Sequence, residues 1–195
     1  IPIVLSEQNH QVNILGLTLQ ARRHRKQWND YMMTSENLKI LPNYLKFYTF
    51  TDLKTIVTDK NFRWYFRQSK GEPEQYNNLL YYDHEFSEDV TPKLKRILAA
   101  ICSQLGAIAV LRININSTPR NAPEQTWHTD WVISTQSKTC VLYLNDNDGY
   151  TEFKDMKVDS VANTAVIFDT NIEHRGVPPT NVDRRLVLNI NYFEK

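Results

Sequence analysis

The chain has few cysteines, no long apolar run and almost no net charge. Its 195 residues include two cysteines, too few for the disulfide framework of a small secreted protein, so we expect a reducing, cytoplasmic location. Apolar runs such as Ala107–Leu111 are far shorter than the roughly 18 residues of a membrane-spanning helix, so no membrane association is predicted. The formal net charge of +1 gives no reason to expect nucleic acid as a partner.

What is present is the composition of an ordinary folded domain. Hydrophobic residues make up 41% and charged residues 23% of the chain, which excludes disordered and fibrous classes. The length suits one domain with one core. Residues 1–45 carry no clear pattern, and we treat them as an N-terminal extension, packed on or flanking a core domain that spans residues 46–195.

Two helices are predicted from capping signals. The clearer one covers Thr91–Leu105, where Thr91 suits the N-cap, Pro92 the first helical position and Gly106 the C-terminal end. A shorter helix is predicted around Asp52–Thr58, with a cap at its first residue or the one before it.

After Gly106 the chain changes to short segments of alternating apolar and polar residues, a pattern typical of antiparallel β-structure. In Ala109–Asn116, Thr139–Asn145 and Arg185–Tyr192, one set of alternate residues is apolar and the other is largely polar. A sheet with helices on one side and water on the other explains this division. A barrel-like core over about residues 107–195, enclosing a polar ligand cavity, explains it equally well.

His128 and Asp130 form a His-x-Asp pair whose side chains point the same way on an extended strand. One such pair is weak support for a metal site, because it also arises by chance. His174 follows the apolar segment Ala165–Phe168 and offers a third ligand. Two histidines and one carboxylate on neighbouring strands form the facial triad of non-haem iron(II) oxygenases.

A triad of this kind that uses 2-oxoglutarate as electron donor also needs a cation for the distal carboxylate. Arginine suits this task because its planar fork meets a carboxylate with two charge-assisted hydrogen bonds. Arg184 and Arg185 both follow His174, but only Arg185 lies in the polar set of its strand, so we select Arg185. Tyr143 lies in the polar set of another strand, and its hydroxyl is a candidate for the same carboxylate.

Taken in order, these features resemble the iron(II)- and 2-oxoglutarate-dependent dioxygenase superfamily, and within it the prolyl-hydroxylase-like branch. The chain is also similar to short members of that branch carried by bacteriophages. The resemblance runs from about Leu45 to the C-terminus. The segments that carry it are His128–Asp130, Val141–Asn145, Asp148–Phe153, His174, and Arg185 followed by Tyr192 and Phe193.

The resemblance implies a mostly β fold with supporting α-helices, a double-stranded β-helix (jelly roll, cupin-like) with helices packed on the larger sheet. It implies that His128, Asp130 and His174 bind Fe(II), and that Arg185 and Tyr143 hold 2-oxoglutarate. O2 is then the second co-substrate, succinate and CO2 are products, and ascorbate is an accessory reductant. A phage-encoded member acts in the host cytoplasm.

The resemblance further implies hydroxylation of an unactivated C–H bond, in a prolyl or other aminoacyl substrate that is a peptide, a protein or a small molecule. Residues 117–125 are a candidate lid over the substrate. The residues expected to contact substrate or to support the metal ligands are Asn114, Asn116, Trp131, Asn189 and Asn191.

Other functions remain open at this point. A nucleobase- or small-metabolite-oxidising member of the same superfamily is one alternative, although nucleic-acid demethylases carry a further arginine after the position of Arg185, which this chain lacks. A cupin-type metalloenzyme needs no arginine there. A non-catalytic β-helix binding module is the third alternative, and the complete set of three metal ligands plus Arg185 argues against it.

Overall fold

The computed structural model describes residues 38–67, 75–130 and 136–194, and within these ranges the chain is mostly β-strand with two helices. Trp131 and most of the predicted N-terminal extension lie outside the described residues. The helices are α1 (Phe47–Thr58) and α2 (Pro92–Gln104). The strands are β1 (Leu38–Leu41), β2 (Tyr65–Arg67), β3 (Gln75–Tyr82), β4 (Glu85–Phe86), β5 (Ala107–Pro119), β6 (Ser137–Tyr143), β7 (Tyr150–Phe153), β8 (Lys157–Asp159), β9 (Ala165–Asp169), β10 (His174–Val177) and β11 (Arg184–Glu194).

The described strands form two antiparallel sheets. The larger sheet has the order β1-β9-β6-β11-β5-β3-β2, with β4 paired to β3, and the smaller sheet has the order β10-β7-β8. The chain crosses between the sheets after β6, β8, β9 and β10, which is the connectivity of a jelly roll. The predicted double-stranded β-helix is therefore confirmed.

Helix α2 forms where its capping residues predict it. The Thr91 hydroxyl accepts a hydrogen bond from the Leu94 N–H at 3.3 Å, and Pro92 occupies the first turn. Leu105 ends the helix, and Gly106 has φ +69°, a left-handed conformation that costs glycine little. The apolar face of α2 joins the main core through residues such as Leu98 and Ile101, which are fully buried.

The apolar alternate residues of the central strands face this core. Ile115 on β5, Leu142 on β6 and Leu188 on β11 are completely buried in the same cluster as the α2 residues. The opposite alternate residues, among them Asn114 and Asn189, line a cavity. Of the two explanations for the alternation, the polar cavity is therefore correct for these residues, and the sheet whose polar face lies in water is not.

The alternation fails at the start of β5 because the strand contains a bulge. Asn191 of β11 pairs with Arg112, but the next residue, Tyr192, pairs with Val110, so Leu111 is left without a partner. Val110 therefore packs against the core, where the simple alternation assigns Ala109 and Leu111. The inserted residue exchanges the two faces of the strand on its N-terminal side.

Two features at the N-terminal side of the described region differ from the sequence pattern. Helix α1 begins at Phe47, well before the predicted start near Asp52, and its N-cap residue Lys46 makes no side-chain capping hydrogen bond. Strand β1 lies inside the predicted extension and pairs with β9 at the edge of the larger sheet. Neither helix in the described ranges has the length and apolar character of a membrane span.

Candidate active site

A polar cavity of about 270 Å³ lies between the two sheets. Strands β5, β6 and β11 of the larger sheet form one wall, and β7 and β10 of the smaller sheet form the other. Val141 and Val187 are its apolar lining residues among the described ones, and the remaining side chains are arginines, amides, hydroxyls, histidines and one carboxylate. The cavity therefore suits small charged or strongly polar ligands.

The structure brings His128, Asp130 and His174 together at this cavity. The candidate ligand atoms of the three residues all lie within 4.8 Å of one another. His128 and Asp130 precede β6, whereas His174 begins β10 in the smaller sheet. Asp130 and His174 are buried and His128 is partly exposed, so the group is open to the cavity on one side.

The two histidines are joined through their backbones. The His128 N–H donates to the His174 carbonyl at 3.0 Å, and the His174 N–H donates to the His128 carbonyl at 2.9 Å. This reciprocal pair is an isolated antiparallel β-bridge, and it sets the two imidazole rings 4.7 Å apart between centroids. The backbone hydrogen bonds thus help to align the two rings.

Each ring is also held in one tautomer. The Nδ1 of His128 lies 2.9 Å from the Thr126 carbonyl, and the Nδ1 of His174 lies 3.0 Å from the Ile172 carbonyl. A carbonyl only accepts hydrogen bonds, so Nδ1 is the nitrogen that donates in both rings, and in a neutral ring Nε2 is then the atom with the free lone pair. Burial lowers the pKa of His174, although the negative charge of Asp130 opposes this effect. The lowered pKa favours the neutral form of the ring, which is the form that binds metals.

One oxygen of Asp130 is fully engaged by the protein. Its Oδ2 accepts hydrogen bonds from Thr139 Oγ1 at 3.0 Å, from Asn189 Nδ2 at 3.1 Å and from Asn191 Nδ2 at 3.0 Å. Its Oδ1 has the Arg112 Nη2 at 3.8 Å, beyond hydrogen-bond distance. Oδ1 is therefore the oxygen that remains for a metal ion.

The same neighbours keep this carboxyl group ionised. Burial alone raises the pKa of Asp130, but nearby His174, the hydrogen bond from Asn191, the charge of Arg112 and the hydrogen bond from Asn189 outweigh burial. The net effect is a pKa below the ordinary value. The site thus offers one carboxylate and two imidazoles, a donor set that fits Fe(II) in a facial triad.

Arg185 lies in the same cavity as a buried cation without a carboxylate partner. Its side chain donates from Nε to Ser160 Oγ at 2.7 Å and from Nη2 to Thr151 Oγ1 at 2.9 Å. None of the ion pairs among the described residues includes Arg185, although the residue is only 5% exposed. A buried arginine in this state favours the binding of an anion. Arg184, by contrast, is exposed.

Tyr143 lies beneath Arg185, with its hydroxyl directed to the protein. The Arg185 Cζ is 5.3 Å from the centre of the Tyr143 ring. The Tyr143 hydroxyl lies 2.9 Å from Thr151 Oγ1 and 3.2 Å from the Val158 carbonyl. Thr151 lines the cavity and Tyr143 does not, so the Tyr143 hydroxyl reaches the cavity through Thr151.

Two glycines allow the close packing around Arg185. A Cβ on Gly149 would lie 2.7 Å from the Val177 carbonyl and 3.0 Å from the Arg185 Cδ. A Cβ on Gly176 would lie 2.6 Å from the Gln125 Oε1 and 3.4 Å from the Arg185 Nη1. A side chain at either position would displace the arginine or its neighbours.

The remaining sequence candidates divide by position. Asn114, Asn116 and Asn189 line the cavity, whereas Asn191 lies behind it and holds Asp130. Of the candidate lid, residues 117–119 belong to β5. Gln125, at the other end of that segment, accepts a hydrogen bond from the Gly176 N–H at 2.8 Å.

Several residues of the site were not singled out from the sequence. Arg112 and Thr139 lie in the polar sets of their strands, so the alternation did contain a signal for them. Thr151 and Ser160 belong to the smaller sheet and its following turn, and no local pattern relates them to Arg185. The residues that contact Asp130 or Arg185 and were not singled out from the sequence are Arg112, Thr139, Thr151 and Ser160.

The region that holds this site is similar to a known protein family. Residues 114–193 match the family model of the 2OG-Fe(II) oxygenase superfamily. A search of curated proteins gave no match.

Solved structures share the fold at low sequence identity. A Pseudomonas putida prolyl-4-hydroxylase is 15% identical, with a TM-score of 0.57, over 85% of this chain and 96% of that one. A Trichoplax adhaerens prolyl hydroxylase, in complex with a hypoxia-inducible-factor peptide, is 13% identical, with a TM-score of 0.56, over 91% and 93%. A Burkholderia pseudomallei oxidoreductase of the 2OG-Fe(II) oxygenase family is 11% identical, with a TM-score of 0.62, over 84% and 88%.

Proposed function

We propose that the chain is an Fe(II)- and 2-oxoglutarate-dependent oxygenase that hydroxylates an unactivated C–H bond of a prolyl or other aminoacyl substrate. The match of residues 114–193 to the family model of the 2OG-Fe(II) oxygenase superfamily supports this proposal. The family uses Fe(II), 2-oxoglutarate and O2. The observation that supports this activity best is the cavity that holds both a His-Asp-His group and a buried arginine, one that forms no ion pair with the residues the structure describes.

The protein's part in this reaction is to hold and orient. His128 and His174 would offer Nε2, and Asp130 would offer Oδ1, leaving the cavity side of the metal free for co-substrates. When bound, Fe(II) with 2-oxoglutarate and O2 supplies the oxidising power for hydroxylation, with succinate and CO2 as products. Asn189, Asn191 and Thr139 keep the carboxylate in one orientation.

Arg185 and Thr151 are the residues that we assign to the distal carboxylate of 2-oxoglutarate. The guanidinium is fixed by Ser160 and Thr151 and faces the cavity, which suits a two-bond contact with a carboxylate. Tyr143 stays in the co-substrate site as the residue that packs beneath the guanidinium and bonds to Thr151. Val141 and Val187 border the same space and exclude water from the carbon chain.

The aminoacyl substrate is supported by two similar structures, which are prolyl hydroxylases, one of them holding a peptide. The polar cavity wall formed by Asn114 and Asn116 suits the amide or charged groups of such a substrate. The fold alone does not select this chemistry, because the alpha-ketoglutarate-dependent epimerase SnoN of nogalamycin biosynthesis has a similar fold.

The test is anaerobic titration of the metal-free protein with Fe(II) and 2-oxoglutarate, followed by air. We expect the visible absorption band of an Fe(II)–2-oxoglutarate chelate, and then succinate. His174→Ala should abolish the band through loss of the metal. Arg185→Gln should weaken 2-oxoglutarate binding at least about tenfold while leaving metal affinity unchanged.

Arg184→Gln is the matched control, since it removes an exposed arginine at the neighbouring position. It should leave 2-oxoglutarate binding as in the parent protein. Metal binding without any effect of 2-oxoglutarate would instead favour the cupin-type alternative. Failure of both to bind would leave a binding module and contradict the proposed activity.

A further inference from the structure

The cavity carries more positive charge than the metal site and 2-oxoglutarate account for. Among the described residues that line it, three are arginines and Asp130 is the one carboxylate. A histidine that binds a metal ion through Nε2 is a neutral ligand, so His128 and His174 add no charge once an ion is bound. In the function proposed above, Asp130 binds the metal and Arg185 binds 2-oxoglutarate. The two other charged residues that line the cavity, Arg67 and Arg112, have no ligand in that proposal.

Binding of metal and co-substrate leaves this excess in place. A divalent cation together with Asp130, Arg185 and the two carboxylates of 2-oxoglutarate forms a set without net charge. Among the described residues, the carboxylate nearest to Arg112 is that of Asp130, whose Oδ1 lies 3.8 Å from the Arg112 Nη2. Once a metal ion neutralises that carboxylate, Arg112 loses its only partner of opposite charge among the described residues.

The guanidinium of Arg112 is fixed and presents free donors. Its Nε donates to Asn191 Oδ1 at 3.1 Å, which orients the planar group. Neither Nη makes a hydrogen bond within the described residues, and the side chain is 22% exposed. Two parallel N–H groups on a fixed, partly buried arginine match the geometry of a carboxylate.

Arg67 extends the same positive region to the open side. It ends β2, lines the cavity and is exposed, so it lies where a ligand enters. An exposed charge at this position attracts anions and adds little binding energy by itself.

We propose that the substrate to be oxidised carries a carboxylate that binds Arg112, with Arg67 attracting it at the open side of the cavity. This inference rests on the proposed function and narrows its substrate class to amino-acid-type molecules with a free carboxylate. Because Arg112 is next to Asp130, the C–H bond attacked lies only a few bonds from that carboxylate. A free amino acid and the last residue of a peptide share this chemistry.

The experiment compares acids with their amides on the full chain loaded with Fe(II) and 2-oxoglutarate without oxygen. The probes are the standard L-amino acids and their carboxamides, and a tripeptide ending in proline as free acid and as amide. Binding is followed by the change in the visible band and by calorimetry. We expect at least one acid to bind at least about tenfold more tightly than its amide.

Variants separate charge recognition from structural support. Arg112→Gln should abolish the preference for acid over amide, and Arg112→Lys should retain part of it. A merely structural role of Arg112, through Asn191 and Asp130, would weaken metal binding and both probes alike. Arg96→Gln, on the exposed side of α2, is the matched control and should keep the full preference.

The outcomes are distinct for the two proposals. If the band forms but acids and amides bind equally, or no acid binds, the carboxylate inference is wrong. A preference that survives in Arg112→Gln contradicts it too. If the band never forms, the proposed function itself fails and the inference fails with it. Tighter binding of a free amino acid than of the tripeptide acid indicates a free amino acid as substrate, and the reverse indicates the C-terminal residue of a peptide.

Discussion

Asp130 is the residue whose surroundings decide most about the metal site. Three donors on its Oδ2 hold the carboxylate in one rotation and leave Oδ1 to the cavity. Asn191 is central to this arrangement because its amide also binds Thr139 and Arg112. In the proposed metal site, Asn191 would therefore act by positioning the ligand Asp130, without touching the ion.

Replacing Asn191 with leucine should lower the affinity for Mn(II), used as an air-stable substitute for Fe(II), by about 10- to 100-fold. The substitution removes one hydrogen bond to Asp130 and frees Arg112 from its partner. Calorimetry gives the affinity, and circular dichroism verifies the fold. Asn116→Ala is the matched control, since Asn116 bonds to Asn114 on the same wall. Equal affinities in Asn191→Leu and the parent would contradict the positioning role.

At the scale of single residues, the sequence indicated those residues that belong to a chemical motif or lie clearly in the polar set of a strand. His128 and Asp130 were proposed from their His-x-Asp spacing, and His174 from its place after an apolar strand and from the family resemblance. The structure brings their ligand atoms together. Thr151 was not found, because hydroxyls are common on strands and its contact with Arg185 depends on how two sheets face each other. Contacts of that kind have no local sequence signal.

Helices α2 and α1 show why the bounds of some helices can be predicted from the sequence and those of others cannot. Helix α2 has a capping hydroxyl, a proline in its first turn and a terminal glycine, and its bounds were predicted closely. Helix α1 has no side-chain cap, and tertiary packing of Leu53 and Val57 holds it instead. Its first turn was missed for that reason.

Thr91→Ala should lower the free energy of unfolding by about 1 kcal/mol, because the Leu94 N–H loses its capping acceptor. Urea denaturation followed by circular dichroism measures the change. Thr55→Ala, at an exposed position inside α1, is the comparison and should cause no loss, since alanine favours helix interiors. An equal decrease in the free energy of unfolding in both variants would contradict a stabilising role of the Thr91 cap.

The strands were predicted by alternation, and the bulge in β5 marks the limit of that method. The pattern holds from Arg112 to the end of the strand and fails before it. One extra residue reverses the faces, and nothing in the alternation of Ala109 to Ile115 announces it. Register is set by the partner strand, which is a property of the sheet.

At the scale of the whole molecule, the double-stranded β-helix follows from the resemblance together with the repeated division of strands into apolar and polar faces. The division of the chain at residue 45 remains a prediction, and β1 lies on the N-terminal side of that boundary while pairing with β9. A four-residue strand at a sheet edge is too short to show an alternating pattern.

Metal and co-substrate should stabilise the whole fold by mass action. At a free ligand concentration of 100 times Kd, the expected gain is about 2.7 kcal/mol for each bound ligand. Thermal unfolding with Mn(II) alone, and with Mn(II) plus 2-oxoglutarate, measures two successive increases. His174→Ala should show neither increase if its imidazole is a ligand, and an unchanged response would remove His174 from the metal site.

The backbone bridge between His128 and His174 has a consequence for how the ion is acquired. It closes the loop between these residues with two backbone hydrogen bonds, so the entropy of bringing the ligands together is lost during folding. Metal binding then meets a preorganised chelate, unlike a zinc finger, which folds only around its ion. The chain should accordingly be able to lose and regain its metal repeatedly as a folded protein, with exchange governed by access to the cavity.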